Sequence, residues 1–431
     1  MVFQRLWLGQ LLSNLGTQVS LYAIALWLFR STGGLGGLVA VAVVVLLSKL
    51  AILPALTRWL PRCRLRPVML AANLMALLGT LTLVTLLLHR GSLPPLYLLL
   101  FLSISAAAEG TLAVCLATLV PRLVAPDQRA AANGWLGAAD GLVNLAAPFL
   151  AALVVLQLAL PWVALLDAST TALALATVAW GAWPRRASRP RPVAASAPPW
   201  QLGTRQRLRA LLTVPISRAL LLLGGALMAT CASLEILFPA WIVISPPVGG
   251  LGSALVLSGI AYGGGALAWQ RLGLPRGRWR IWLLAALLGQ GLLLLAVVAV
   301  VPGQRPVLWL IGVAGFNFSL PIVAAALPSL WQAVVPPPDQ PAYFAARYGF
   351  EWLARLAGFG LSWGLVERVL RPALAADGPL AGLNTGASRP LTLVLALFGA
   401  VQVLVVLWQG PPLLAAPLRP LEGIGAVQGR V

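Results

Sequence analysis

Charge is scarce in this chain. Of 431 residues only 9% are Asp, Glu, Lys or Arg, ten are acidic, and lysine and histidine each occur once, as Lys49 and His89. A lone histidine cannot build a hydrolase triad or a histidine-based metal centre. Three scattered cysteines, Cys63, Cys115 and Cys231, are too few for a disulfide framework or a zinc site and are expected as free thiols. There is no Gly-x-x-x-x-Gly-Lys-Ser/Thr string, so the chain has no phosphate-binding loop of its own. These absences predict a protein that is not an enzyme and needs no cofactor or metal. What is abundant is apolar: 60% hydrophobic residues and a mean hydropathy of +0.91 lie far outside the soluble range. The solvent for this fold is lipid.

Breaking the apolar runs at Pro, Gly and Arg clusters gives spans near 6–29, 35–56, 67–88, 94–118, 131–157 and 160–182. After a polar stretch come spans near 217–243, 251–270, 281–301, 306–333, 346–370 and 391–408. Runs near 20 residues without alternation predict helices rather than barrel strands. The first run contains a small-x-small pattern, Ala23-Ile24-Ala25, but Asn14 and Gln18 interrupt it and it is long enough to cross a bilayer, so a permanent span is expected rather than a cleaved signal. Counting arginines in alternate gaps puts 22 on one side and 6 on the other, which predicts cytoplasmic termini. The net charge of +20 therefore reads as topology and not as a nucleic-acid surface. The segment from Pro184 to Arg209, rich in Pro, Ser and Arg, is expected to be a tether lying on anionic lipid.

The chain repeats itself. Pro126-Asp127-Gln128-x-Ala130 returns as Pro338-Asp339-Gln340-x-Ala342, and Arg64 and Arg66 return at the same offset as Arg276 and Arg278. Six spans per half is even, so both halves enter from the same side and relate by an axis along the membrane normal, with a binding site expected between them.

Ionisable groups within spans carry the rest of the signal, because a charge at the bilayer centre costs at least about 2.5–3.5 kcal/mol and is turned toward a partner or water. Lys49 lies in the second span, where it either snorkels, neutralises a carboxylate or serves transport directly. Glu109 shares a helical face with Ser105, and Asp140 shares one with Gly137 and Asn144. A carboxyl buried between helices can exchange a proton near neutral pH, which makes Glu109 or Asp140 a candidate coupling group; a fixed ion pair with Lys49 is the competing reading. Asn14, Gln18 and Tyr22 form a polar stripe on the first span, suited to substrate or to a neighbouring helix. Glu235 in the seventh span and Asn317 in the tenth are further candidates for the path and its cavity. Arg347, Glu351 and Arg355, spaced by four, read as an ion-pair strut. Gly259-x-x-x-Gly263, with Gly264 and Gly265, predicts close packing of the eighth span.

Several strings together resemble the major facilitator superfamily, in particular its bacterial drug, macrolide and siderophore exporters. They are Leu8-Gly9-Gln10-Leu11-Leu12-Ser13-Asn14-Leu15-Gly16, Pro121-Arg122-Leu123-Val124 with Pro126-Asp127-Gln128-Arg129 and Asn133, and Leu166-Asp167-Ala168. The basic loop after the second span, with Arg58, Arg62 and Arg64, is similar to the family's Gly-x-x-x-Asp-Arg gating motif, and Arg276 and Arg278 occupy the corresponding loop of the second half. Here it reads Pro54-Ala55-Leu56-Thr57-Arg58-Trp59, without the acid. Ala147-Pro148-Phe149-Leu150-Ala151-Ala152 is similar to the antiporter signature Gly-Pro-x-x-Gly-Gly with small residues replacing glycines. The resemblance implies an all-α membrane protein of twelve transmembrane helices in two pseudo-symmetric six-helix bundles, residues 1–183 and 216–410, with a linker over 184–215 and a tail over 411–431. It further implies a secondary transporter, expected as a proton-coupled exporter of a small apolar or amphipathic molecule by alternating access. A transport-inactive scaffold or assembly partner is the alternative. The expected partners are that substrate, protons or another coupling ion, and membrane lipid; the expected setting is a monomer in a bacterial plasma membrane.

Overall fold

The computed structural model describes residues 2–32, 36–125, 128–181, 209, 211–244, 250–272, 278–300, 306–336, 340–375, 377–383, 386 and 388–416. The described residues of the first half form α1 (Val2–Thr32), α2 (Gly36–Trp59), α3 (Leu65–Arg90), α4 (Pro95–Leu123), α5 (Arg129–Gln157) and α6 (Leu160–Trp180). Those of the second half form α7 (Pro215–Ile244), α8 (Gly250–Leu272), α9 (Trp279–Val300), α10 (Pro306–Val334), α11 (Gln340–Gly364) and α12 (Arg389–Ala415). A π-helical segment, Leu365–Leu370, continues α11. Among the described residues eight helices are long and apolar enough to cross a membrane. Most of the expected linker, 184–215, lies outside the described residues, as does the tail beyond residue 416.

Local chemistry fixes the ends. Proline in the first turn starts α4, α6 and α12, where its missing N–H would have had no partner. Gly91 ends α3 at φ 71°, a conformation that L side chains rarely adopt. The last helix runs to Ala415, past the end expected near residue 408 and through Pro411 and Pro412. Its final carbonyls are met by Arg280, whose guanidinium donates to the carbonyl oxygens of Leu413, Leu414 and Ala416 at 2.9, 3.1 and 2.6 Å. In the first half Arg66 makes the equivalent bond to the carbonyl of Ala179 near the end of α6. The capping arginine of the second half is therefore Arg280, two residues beyond the position that the repeat offset gives to Arg66.

Packing repeats with the sequence. In the first half α1 lies on α5 and α6, α3 on α4 and α6, and α2 on α4. Adding six to each label gives the pairs of the second half: α7 on α11 and α12, α9 on α10 and α12, α8 on α10. The seam obeys the same symmetry, α5 lying against α8 and α10 while α11 lies against α2 and α4. Gly265 is the closest approach of the glycine-rich stretch, facing the backbone carbonyl of Phe318 in α10, whereas Gly263 meets nothing within 4 Å.

The cores of the two ends differ. At the arginine-rich end one apolar cluster runs through both halves, from Leu53 and Leu56 of α2, Leu60 just after it, and Val114 and Leu119 of α4 to Leu330 and Trp331 of α10 and Phe344 of α11. At the opposite end each half keeps its own cluster, around Leu83, Leu87 and Leu98 in the first and Val313, Leu391 and Leu395 in the second. Among the described residues, the apolar core is shared between the halves at the arginine-rich end alone.

Candidate functional site

Three helices of the first half converge on one carboxylate. Lys49 Nζ of α2 lies 2.7 Å from Glu109 Oε1 of α4, and Gln18 Nε2 of α1 donates to Glu109 Oε2 at 3.4 Å. The second half reaches the same place. A Cβ on Gly110 would lie 3.2 Å from Cη2 of Trp352 and 3.5 Å from Cγ of Lys49, so the absent side chain lets the indole of α11 rest beside the lysine. Tyr348 stacks on that indole with centroids 5.6 Å apart.

A second pair belongs to the second half. Arg355 of α11 donates to Glu235 Oε1 of α7 at 2.5 Å. Tyr22 of α1 lies within electrostatic reach of both charges. Gln18 and Tyr22 are one helical turn apart, so a single face of α1 reaches the Lys49–Glu109 pair through Gln18 and lies within electrostatic range of the Arg355–Glu235 pair at Tyr22. The side chains of Glu109, Arg355 and Glu235 keep 28%, 30% and 44% of their surface exposed, in the middle of long apolar helices. Charges at such depth are stable only where a partner and water reach them, which is what a wet crevice between the halves supplies.

Other expected residues fall elsewhere. The strut reading of Arg347, Glu351 and Arg355 is half right: Arg347 Nε pairs with Glu351 Oε1 at 2.7 Å, deeply buried, but Arg355 turns to Glu235. Asn14 Oδ1 is buried without a hydrogen-bond partner among the described residues. Asn317 bonds back to the carbonyl of Val313 on its own helix at 2.9 Å. The side chains of Asp140 and Asn144 lie outside the described residues. Their expected neighbour Gly137 accepts a hydrogen bond from Tyr262 of α8, so that face of α5 meets the seam. Of the loop arginines, Arg58, Arg62, Arg64 and Arg278 are exposed, and Arg276 lies outside the described residues. The position of the acid missing from the gating motif is held by Thr57, whose hydroxyl donates to the carbonyl of Pro54 at 2.8 Å, and the same helix meets α11 through Leu53, whose Cδ1 would lie 2.9 Å from a Cβ on Gly349.

An amide latch across the seam was not legible. Asn133 Nδ2, near the start of α5, donates to Ser329 Oγ at 2.8 Å and to Gln332 Oε1 at 3.0 Å on α10. Gln332 Nε2 donates in return to Asn133 Oδ1 at 3.2 Å and to the carbonyl of Ala117 at 3.3 Å. Gln340 braces the far side through the carbonyls of Gln332 and Val335. Asn133, Ser329 and Gln332 are all buried, and they sit where the two halves share their core.

Two pseudo-symmetric six-helix bundles with charged pairs on either side of a seam are the architecture of a secondary membrane transporter. The chain matches the Major Facilitator Superfamily over residues 6–359 and belongs to that family; its members are transporters, not enzymes. The fold is similar to that of a bacterial homologue of the iron transporter ferroportin in an outward-facing state (TM-score 0.70, 17% identity, covering 96% of this chain and 98% of that one). It is also similar to the human organic anion transporter MFSD10 (0.69, 17%, 95% and 98%) and to the proton:xylose symporter XylE (0.70, 14%, 99% and 98%). At these identities the likeness speaks for the fold alone. No curated protein sequence matches the chain.

Proposed function

We propose that this transporter is a proton-coupled exporter of a small apolar or amphipathic molecule, working as a monomer in a bacterial plasma membrane. The arginine-rich end, which also carries the start of α1 and the end of α12, is read as cytoplasmic on the 22-to-6 arginine asymmetry. The shared core and the amide latch then close the cytoplasmic mouth, and the crevice faces outward.

The observation that carries the coupling is the Lys49–Glu109 pair. A proton and the Lys49 ammonium compete for the same carboxylate, so protonating Glu109 releases the link between α2 and α4. Because α2 is also the helix that packs on α11, loss of that link is felt at the seam. Proton uptake at one side and release at the other would then alternate a tight and a loose seam. The stripe of α1 that carries Gln18 and Tyr22, with the stacked Tyr348 and Trp352, provides a mixed polar and aromatic wall suited to an amphipathic ligand.

The test is counterflow in proteoliposomes with an imposed pH gradient, using the molecule whose level in the medium changes most between cells lacking and overproducing the protein. Glu109→Gln is expected to lower pH-driven flux about tenfold or more while exchange without a pH gradient persists. Retention of full pH dependence by this variant removes Glu109 from the coupling role. Absence of any flux from wild-type vesicles favours the scaffold reading.

A further inference from the structure

Asp167 is the one described carboxylate that is deeply buried and meets no cation. It lies in the first half, on α6, with 4% of its surface exposed. Thr17 of α1 donates to Oδ1 at 2.8 Å, Thr171 of its own helix approaches at 3.5 Å, and Thr80 of α3 lines the same cavity. The carboxylate opens onto a cavity of about 20 Å³, bounded also by Ser20 and Ser105. That is room for one small ion or one water. Gly16 brings α1 and α6 together at this level, since a Cβ there would sit 3.3 Å from Cα of Asp167.

We propose that this cavity is a binding site for one monovalent alkali-metal cation, with sodium as the probe. The one negative charge shares the cavity with hydroxyls and an apolar wall that includes Ile24, Leu83 and Phe101, so a single positive charge neutralises the site, whereas a divalent ion would leave net charge inside the bundle. The donors are all hard oxygens, the chemistry that alkali and alkaline-earth ions select and that softer metals do not. A hydroxyl that donates to the carboxylate keeps lone pairs, so Thr17 can hold Asp167 and still present oxygen to the ion, as Thr80 can from the cavity wall.

The site is separate from the Lys49–Glu109 pair but mechanically close to it. Thr17 is the chain neighbour of Gln18, which touches Glu109, and Ser105 lies one turn of α4 before Glu109. An ion that draws α1, α3, α4 and α6 together therefore sets the position of the helices that carry the crevice pair.

The experiment uses the full chain in detergent and needs no transport substrate, so its outcome is independent of the proton-coupling reading. Saturable retention of radioactive sodium, about one per chain, is expected, together with a rise in thermal midpoint on adding sodium or lithium chloride that choline chloride at equal ionic strength does not give. Asp167→Asn is expected to abolish both effects. Thr80→Val and Ser105→Ala, which keep the charge and the packing, are expected to weaken sodium binding about tenfold. No saturable sodium retention by the wild-type chain overturns the proposal, as does equal stabilisation by choline. Undiminished sodium binding in Thr80→Val and Ser105→Ala, or in a folded Asp167→Asn chain, overturns it as well.

Discussion

Arg347→Met is expected to destabilise the protein by about 3–5 kcal/mol, a large share of the stability of any single-chain fold. The reason is what the substitution leaves behind. Glu351 keeps only 4% of its side chain exposed, and its Oε1 would lie 2.7 Å from a Cβ on Gly224, so the carboxylate is wedged against α7 with no route to water. The arginine supplies its only ion-pair partner among the described residues, and the guanidinium itself sits 5.8 Å from the ring centre of Trp331 and 5.3 Å from that of Tyr348. Removing both charges is a different matter, because a desolvated pair gives back much of its attraction in lost hydration. The double variant R347M/E351L is expected to recover most of the loss. Thermal unfolding in detergent checks both; equal stability of Arg347→Met and the wild type would show that Glu351 finds another partner.

Asn133→Ala is expected to shift the balance between the two orientations toward the one open at the arginine-rich end. The change removes three hydrogen bonds across the seam and leaves Gln332 buried beside an apolar methyl. An unsatisfied buried amide costs about 1–3 kcal/mol, which corresponds to a population shift of about 5- to 150-fold. A native reporter is at hand. Cys115 of α4, fully buried in the shared core, lies two residues from Ala117, whose carbonyl Gln332 engages. Its alkylation, followed peptide by peptide, should accelerate in the variant while that of Cys63 and Cys231 stays level. An unchanged Cys115 rate would mean that apolar contact alone keeps the seam shut.

Much of the architecture was legible because lipid enforces it. A helix in oil must satisfy its own backbone, so span number and helical state follow from apolar length, and symmetry follows from an even count with a repeated string. Pairings set by helical spacing were also legible: Arg347 with Glu351 is an i, i+4 contact on one face. Arg355 shows the boundary of that logic. It stands four residues from Glu351 and 120 from Glu235, yet it chooses Glu235, because α7 packs along α11 and brings that carboxylate alongside. The Lys49–Glu109 contact was one of two readings open to the sequence, and the third member, Gln18, appeared there only as part of a stripe. The latch was out of reach, since Asn133 and Gln332 are ordinary amides 199 residues apart whose meeting depends on how the halves dock. For Asp167 a signal existed: a carboxylate followed by Ser169, Thr170 and Thr171 is rich in hydroxyls for a span. The partners that turn it into a cavity come from α1, α3 and α4, and no local pattern ties them to it.

The uneven distribution of the apolar cores bears on temperature. Where one mouth is sealed mainly by grease and the other is not, the preferred facing of the vestibule inherits the thermal habit of hydrophobic contact, which weakens in the cold. Chilling relaxes the greasy seal and warming tightens it, so the resting posture of this molecule is bound to the warmth of the membrane in which it sits.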